Sequence, residues 1–178
     1  MDAIMCLDDI ECKKGLQLLT EPAGWETLQR RYGIAPETVQ NLAAIFGISG
    51  VCNVLGAIKT AKYYGLGSQE TVVTICTDAI DRYYSVMAAM TACYGRMDET
   101  EAAVRVESIF HDQKTDWIRE GTQHARACWH NLKYYTWVEQ QGKTVQELDA
   151  QKDPAWWLEH QALVAEIDSK IRSARQAS

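Results

Sequence analysis

The apolar positions in the first half of the chain follow two different periodicities. Val51, Val54, Leu55 and Ile58 recur at helical spacing and predict an amphipathic helix. Residues 71–77 (Thr-Val-Val-Thr-Ile-Cys-Thr) are β-branched almost throughout. Apolar residues occur at both odd and even positions, which predicts a strand covered on both faces. A helix followed by a buried strand is half of a βαβ unit, so this half of the chain is interpreted as α/β material.

The segments before this unit predict one more strand and several helices. The short apolar run 3–7 predicts a strand that leads into a helix. Asp8 and Asp9 follow it as the N-cap and first turn of that helix, or alternatively as paired carboxylates. Prolines at first-turn positions predict two short helices near 22–32 and 36–44.

The second half of the chain has a different character. From Val86 onward no run alternates with period two, and the spacing of Asp98 and Glu101 is that of a helix cap. Large aromatic residues are concentrated here: Trp117, Trp129, Trp137, Trp156 and Trp157. Such a concentration is typical of a packed helical layer or a partner surface. The predicted domains are therefore an α/β part over 1–97 and a helical extension for assembly over 98–178.

Composition and charge exclude several classes of function. The 178 residues carry 18 Lys and Arg against 24 Asp and Glu, a net charge of −6 that disfavours a surface for nucleic-acid phosphates. No stretch is apolar enough for a membrane span, and acids stand where a signal peptide needs basic residues. The four histidines lack metal-site spacing. We expect a cytoplasmic protein without nucleic-acid, membrane or metal partners.

The cysteines support the same location. None has the spacing of a zinc or redox motif, so they are interpreted as buried thiols in a reducing compartment. They are Cys6, Cys12, Cys52, Cys76, Cys93 and Cys128.

The clearest chemical signal is Gly47-Ile48-Ser49-Gly50 at the start of the predicted helix. Two glycines around a small hydroxyl offer unpaired backbone N–H groups, room for a ligand and one neutral hydrogen-bonding side chain. The alternative is that Ser49 is simply the N-cap of the helix. The motifs of serine hydrolases, P-loop proteins and dinucleotide-binding folds are absent from the sequence.

Two segments resemble a known family. GISGVCNVLGAIKTAKY followed by VVTICTDAIDRYYSV is similar to the C-terminal part of the fold-type-II pyridoxal-phosphate enzymes, the cysteine synthase and cystathionine β-synthase family. In that family a Gly-Ile-Ser-Ser-Gly-Ala stretch opens a helix, and a buried strand leads to a Gly-Glu-Arg-Tyr-Leu-Ser ending. Residues 81–85 (Asp-Arg-Tyr-Tyr-Ser) match that ending, whereas Ala79-Ile80 replace a typical Ser-Gly.

The resemblance implies a fold and a cofactor site. The fold would be α/β, a partial fold-type-II lobe with two or three strands followed by an all-helical C-terminal extension. Ser49 would hydrogen-bond the pyridine nitrogen of pyridoxal 5'-phosphate, with Gly47, Ile48 and Gly50 beside it. The chain corresponds to only the last third or so of a family enzyme, and the family's Schiff-base lysine motif, asparagine loop and phosphate-binding loop are absent from it.

The implied function is that of one part of a split enzyme. We expect a small subunit of a heteromeric pyridoxal-phosphate-dependent lyase or synthase that acts on an amino acid by β-elimination or β-replacement. A larger partner would carry the lysine and the phosphate-binding loop, so this chain would hold no catalytic residue and would be inactive alone. The alternative is a non-catalytic regulatory or interaction subunit that keeps the lobe fold without contacting the cofactor.

Overall fold

Helices make up 69% of the chain, and the only sheet in the described part pairs two short antiparallel strands. The computed structural model describes residues 2–176. Contacts divide them into two compact units: residues 3–119, and residues 120–176 together with Asp2. The predicted domains, residues 1–97 and a helical extension for assembly over 98–178, stay a prediction.

The elements follow one another with short connections. In chain order they are β1 (Ala3–Met5), α1 (Asp9–Thr20), α2 (Pro22–Arg30), α3 (Pro36–Ile45), α4 (Ile48–Tyr64), a 3-10 turn (Ile80–Arg82), α5 (Tyr84–Tyr94), α6 (Glu99–Arg105), a π-helical turn (Val106–His111), β2 (Ile118–Glu120), α7 (Gln123–Tyr134), a second π-helical turn (Tyr135–Gln140), α8 (Val145–Ala150), α9 (Pro154–Ala162) and α10 (Val164–Gln176).

The first unit is built around the packing of α1 against α4. Leu16 of α1 and Leu55 of α4 are both completely buried in its core. Asp8 begins α1 as its N-cap, since its Oδ1 accepts the amides of Ile10 at 2.7 Å and Glu11 at 3.0 Å. The capping interpretation of Asp8 is therefore confirmed, and the alternative of paired carboxylates is wrong.

The predicted helices of this unit form close to their expected bounds. Proline stands at the first turn of both α2 and α3. The helix predicted from Val51 to Ile58 is α4, which ends at Gly65 with a φ of 63°. That left-handed conformation is one that glycine adopts without a steric penalty, so the sequence ends the helix there.

The second unit is helical but buries little. Thr144 and Glu147 form a capping box at the start of α8, and Asp153 caps α9 before Pro154. Among its described residues only Ala125, Leu148 and Gln151 are buried. Its helices expose many large apolar side chains, among them Leu132, Tyr135, Trp157, Leu158 and Ile167.

The predicted fold class, an α/β partial fold-type-II lobe, is wrong. The seven residues 71–77 are all exposed and form neither helix nor strand, with Val73 84% and Ile75 70% accessible. A strand exists only when a neighbouring strand accepts and donates its backbone hydrogen bonds. The other two strands pair with each other, so the described chain offers 71–77 no neighbour.

Membrane-spanning potential is limited to one bent pair. No single helix in residues 2–176 has the length and apolar character needed to cross a bilayer. Helices α3 and α4 reach that length and composition only when taken together, and they meet at an angle of 113°.

Candidate functional site

The candidate site lies at the start of α4, where Ser49 is exposed. Gly47 is the N-cap, and it has no side chain with which to cap the helix. The first intrahelical bond runs from the amide of Val51 to the carbonyl of Gly47, at 3.1 Å. Ser49 is thus the second residue of the helix, and the alternative that it acts as the N-cap is wrong.

Ser49 lies beside two polar residues of a later loop. The Tyr83 hydroxyl donates to Oδ2 of Asp78 at 2.6 Å. This hydrogen bond and partial burial raise the pKa of Tyr83, and a hydrogen bond with Ser49 opposes the rise. We call Ser49, Asp78 and Tyr83 the Ser49 cluster. It joins the two segments on which the family resemblance rests.

Gly47 makes this arrangement possible. A Cβ at position 47 would lie 2.5 Å from the Tyr83 ring and 2.8 Å from the carbonyl oxygen of Asp78. Both distances are too short for non-bonded atoms, so a larger residue would displace the loop that carries Asp78 and Tyr83. Glycine at this position therefore allows the loop to pack against the start of α4.

The second glycine has a similar role. A Cβ at Gly50 would lie 2.8 Å from the Phe46 ring, and Ile48 packs partly buried against the core. The chain's own side chains thus fill the space beside both glycines. Ser49 is the one exposed polar side chain among residues 47–50.

A cleft of about 350 Å³ opens next to Ser49. Its volume lies at the lower end of the range for small-molecule sites. The residues that line it are Leu7, Asp9, Cys12, Ile48, Ser49, Cys52 and Asn53.

The buried thiol of Cys12, one of the residues that line this cleft, is strongly protected from ionisation. Burial, together with the neighbouring Cys52, raises the pKa of Cys12 to about 12. The cysteines are all free, and burial varies widely among them: Cys12 is buried, Cys52 and Cys128 are partly buried, and Cys6, Cys76 and Cys93 are exposed. The prediction of six buried thiols is therefore wrong for half of them.

This contrast predicts selective alkylation. At pH 7.5 iodoacetamide should modify Cys76 at least about a hundredfold faster than Cys12, because the thiolate is the reactive form and Cys12 is both buried and protonated. Raising the pH to 9 should leave Cys12 unmodified, since its raised pKa lies well above that value. Mass spectrometry of digested samples gives both rates. Equal rates at Cys12 and Cys76 would contradict the buried environment of Cys12.

The lysines of α4 are engaged away from the Ser49 cluster. Lys59 Nζ donates to the carbonyl of Cys6 at 2.7 Å and pairs with Asp116 at 3.3 Å. Lys62 Nζ donates to the carbonyls of His111 and Gln113. Neither amine is positioned as a nucleophile beside Ser49.

The structure also identifies site residues that the sequence did not. In the sequence, Asp78 and Tyr83 stand out only as members of a segment that resembles the family. The contact between them depends on a loop conformation for which spacing rules give no signal. Among residues 2–176 no group of His, Cys, Asp and Glu side chains is arranged to hold a metal ion.

Comparison of the chain with models of known families, with curated proteins and with solved structures finds no match. The assignment of Ser49, Gly47, Ile48 and Gly50 to a cofactor site stays a prediction.

Proposed function

We propose that this chain is the small subunit of a heteromeric pyridoxal-phosphate-dependent lyase or synthase that acts on an amino acid by β-elimination or β-replacement. One observation carries the proposal. The segments 47–50 and 78–85, which carry the family resemblance, meet in the Ser49 cluster and leave the Ser49 hydroxyl exposed beside a cleft.

The Ser49 hydroxyl has the chemistry that a pyridine nitrogen requires. A neutral hydroxyl donates one hydrogen bond and leaves the nitrogen unprotonated, whereas a carboxylate would favour the protonated ring. Pyridoxal phosphate, when bound, supplies the electron sink for reactions at the amino acid's α and β carbons. An unprotonated pyridine nitrogen withdraws electrons less strongly, which suits the loss or replacement of a group on the β carbon.

Asp78 and Tyr83 would act as positioning residues. The Asp78 carboxylate fixes the Tyr83 hydroxyl through the bond of 2.6 Å, and the phenol lies beside Ser49. A restrained neighbour limits the rotation of the Ser49 hydroxyl. Because the Tyr83 proton is bonded to Asp78, Ser49 is the donor in the hydrogen bond between Ser49 and Tyr83, and a bound pyridine nitrogen would compete with Tyr83 for the Ser49 proton.

The remaining parts of the site would come from a larger partner. Lys59 and Lys62 are committed to other contacts, which supports a Schiff-base lysine outside this chain. The exposed residues 71–77 and the apolar helices of the second unit offer surface for such a partner. The same surfaces favour the alternative of a non-catalytic interaction subunit, so the test must separate the two.

The test uses the complex of this chain with a co-expressed polypeptide that carries the lysine. Ser49→Ala should weaken cofactor binding by about 0.5–1.5 kcal/mol, because one buried hydrogen bond is lost. Ser49→Asp should shift the visible absorbance band and the product ratio, since a carboxylate favours the protonated ring. Absorbance titration with pyridoxal phosphate measures the first effect, and scans during turnover measure the second.

Ser68→Asp serves as the matched control, because Ser68 is an exposed serine in a loop outside the Ser49 cluster. It should change neither the spectrum nor the product ratio. Thermal unfolding of the free chain gives a second measurement. Ser49→Asp should stabilise the free chain slightly, because an acid in the first turn of α4 interacts favourably with the helix dipole. A complex that binds the cofactor but does not respond to Ser49→Asp would leave only the interaction role.

We also propose that the protein is cytoplasmic. A reducing compartment keeps thiols free, which agrees with the six free cysteines.

A further inference from the structure

A second cavity, separate from the Ser49 cluster, lies where the loop before β2 meets α4. Its volume is about 310 Å³, which is enough for a small organic molecule. Lys59, Asp112, Gln113, Asp116 and Trp117 are the lining residues that matter here, and we call it the Gln113 cavity. All of them belong to the first unit.

Gln113 carries the key observation. This residue is only 7% exposed, and its side-chain oxygen Oε1 has no hydrogen-bond partner within the described chain. A buried polar atom without a partner is costly, so such an atom calls for an explanation. Gln113 lines the cavity, and a rotation of its terminal amide would bring Oε1, which solvent does not reach in this conformation, to a donor in the cavity.

The charge of the cavity defines that donor. Four carboxylates line it, those of Asp8, Glu11, Asp112 and Asp116, against the ammonium groups of Lys59 and Lys114, which leaves a formal net charge of −2. Lys59 is already paired with Asp116 and the Cys6 carbonyl. The surplus negative charge favours a positively charged donor.

Trp117 adds a surface suited to a cation. The residue is 80% exposed, and its backbone has a φ of 51°, a left-handed conformation that is unusual for a bulky residue. The amide of Cys6 holds this backbone by donating to the Trp117 carbonyl at 3.1 Å. An exposed indole face beside a negative cavity attracts ammonium groups.

The wall of the cavity is held in place from α4. Lys62 Nζ donates to the backbone carbonyls on either side of Asp112, those of His111 and Gln113. Lys59 ties Asp116 to the same helix. The backbone on either side of Asp112 and the carboxylate of Asp116 are thus held by α4 before any ligand arrives, which is what a binding site needs.

We propose that the Gln113 cavity binds a small organic primary amine, whose ammonium group donates to Gln113 Oε1 and to the carboxylates of Asp112 and Asp116 while its carbon chain lies against the Trp117 ring. This binding is independent of the cofactor site proposed above. The ligand class follows from the unpaired acceptor, the negative charge and the indole face together.

The test is an NMR titration of the full chain with n-butylamine at pH 7, where it is protonated. The side-chain amide of Gln113 and the indole N–H of Trp117 should shift together and reach saturation. 1-Butanol has the same chain without the charge, and sodium chloride matches the ionic strength, so neither should produce these shifts. Saturable shifts with 1-butanol would mean that the site recognises the chain alone and would overturn the proposal.

Two variants test the residues directly. Gln113→Met should reduce butylammonium affinity at least tenfold and raise the melting temperature of the free protein, because an unpaired buried acceptor is removed. Gln40→Met, at an exposed glutamine of α3, is its matched control and should change neither. Unchanged affinity in Gln113→Met would overturn the proposal.

Asp112→Asn covers the case in which Gln113→Met fails to fold, since Asp112 is exposed. It should reduce the affinity severalfold, and Asp168→Asn on α10 should not. An equal reduction in both would show that butylammonium responds only to the overall negative charge, and this would also overturn the proposal.

Discussion

Replacing Gly24 with alanine should destabilise the first unit by about 3 kcal/mol, at the upper end of the range for overpacked sites. A Cβ at this position would lie 1.9 Å from the carbonyl oxygen of Leu18. That oxygen belongs to the backbone of α1, so it cannot move without shifting a core helix. The chain's sharp turn from α1 into α2 thus depends on glycine for close approach.

Thermal unfolding measures this effect, and the midpoint should fall by roughly 6–12 °C for a chain of this size. Gly56→Ala is the matched control. Gly56 lies inside α4, and a Cβ there would meet only the Leu7 side chain, at an ordinary 3.5 Å. Alanine should stabilise that helix by roughly 0.5–1 kcal/mol. A Gly24→Ala protein as stable as the parent would contradict the close packing of α2 on α1.

The isolated chain should self-associate at micromolar concentration, and residues 71–77 should be the main cause. They combine β-branched residues with exposure to solvent and carry no charge, which is typical of aggregation-prone segments. The double substitution Val73→Lys and Ile75→Lys should convert most of the large species to monomer. Light scattering coupled to size-exclusion chromatography measures the change.

Val104→Lys is the control for this experiment. Val104 is 53% exposed on α6, so the substitution adds one positive charge, half that of the double variant, and removes exposed apolar surface outside the segment. It should leave the large species in place. A monodisperse, cooperatively unfolding monomer of the unsubstituted chain would contradict both this prediction and the need for a larger partner.

Local signals in the sequence predicted the helices because helix ends are decided locally. Asp8 and Asp98 cap helices where the sequence indicated, and Gly65 ends α4. A helix satisfies its own backbone, so its neighbours in the fold matter less. Each helix could therefore be predicted from a few residues at its ends.

The predicted strand at 71–77 shows the opposite case. Its composition favours a strand, but composition does not supply a neighbour, and strand pairing is a long-range property. The sequence indicated Ser49, but it gave no signal for the Tyr83–Asp78 bond beside Ser49 or for the Gln113 cavity, for a similar reason. Tyr83 reaches Asp78 through a loop, and Gln113 lacks a partner only because of how its surroundings fold.

The pairing of β1 with β2 has a consequence for the order of folding. Residues 3–5 join residues 118–120, so the ladder closes a loop of about 115 residues, and loop-closure entropy grows with that length. The contact between α1 and α4 closes a far shorter loop and buries the core. During synthesis the helices can therefore dock while the ribosome is still making the chain. The Gln113 cavity, which lies beside this ladder, is completed only after the last residues of the first unit have emerged.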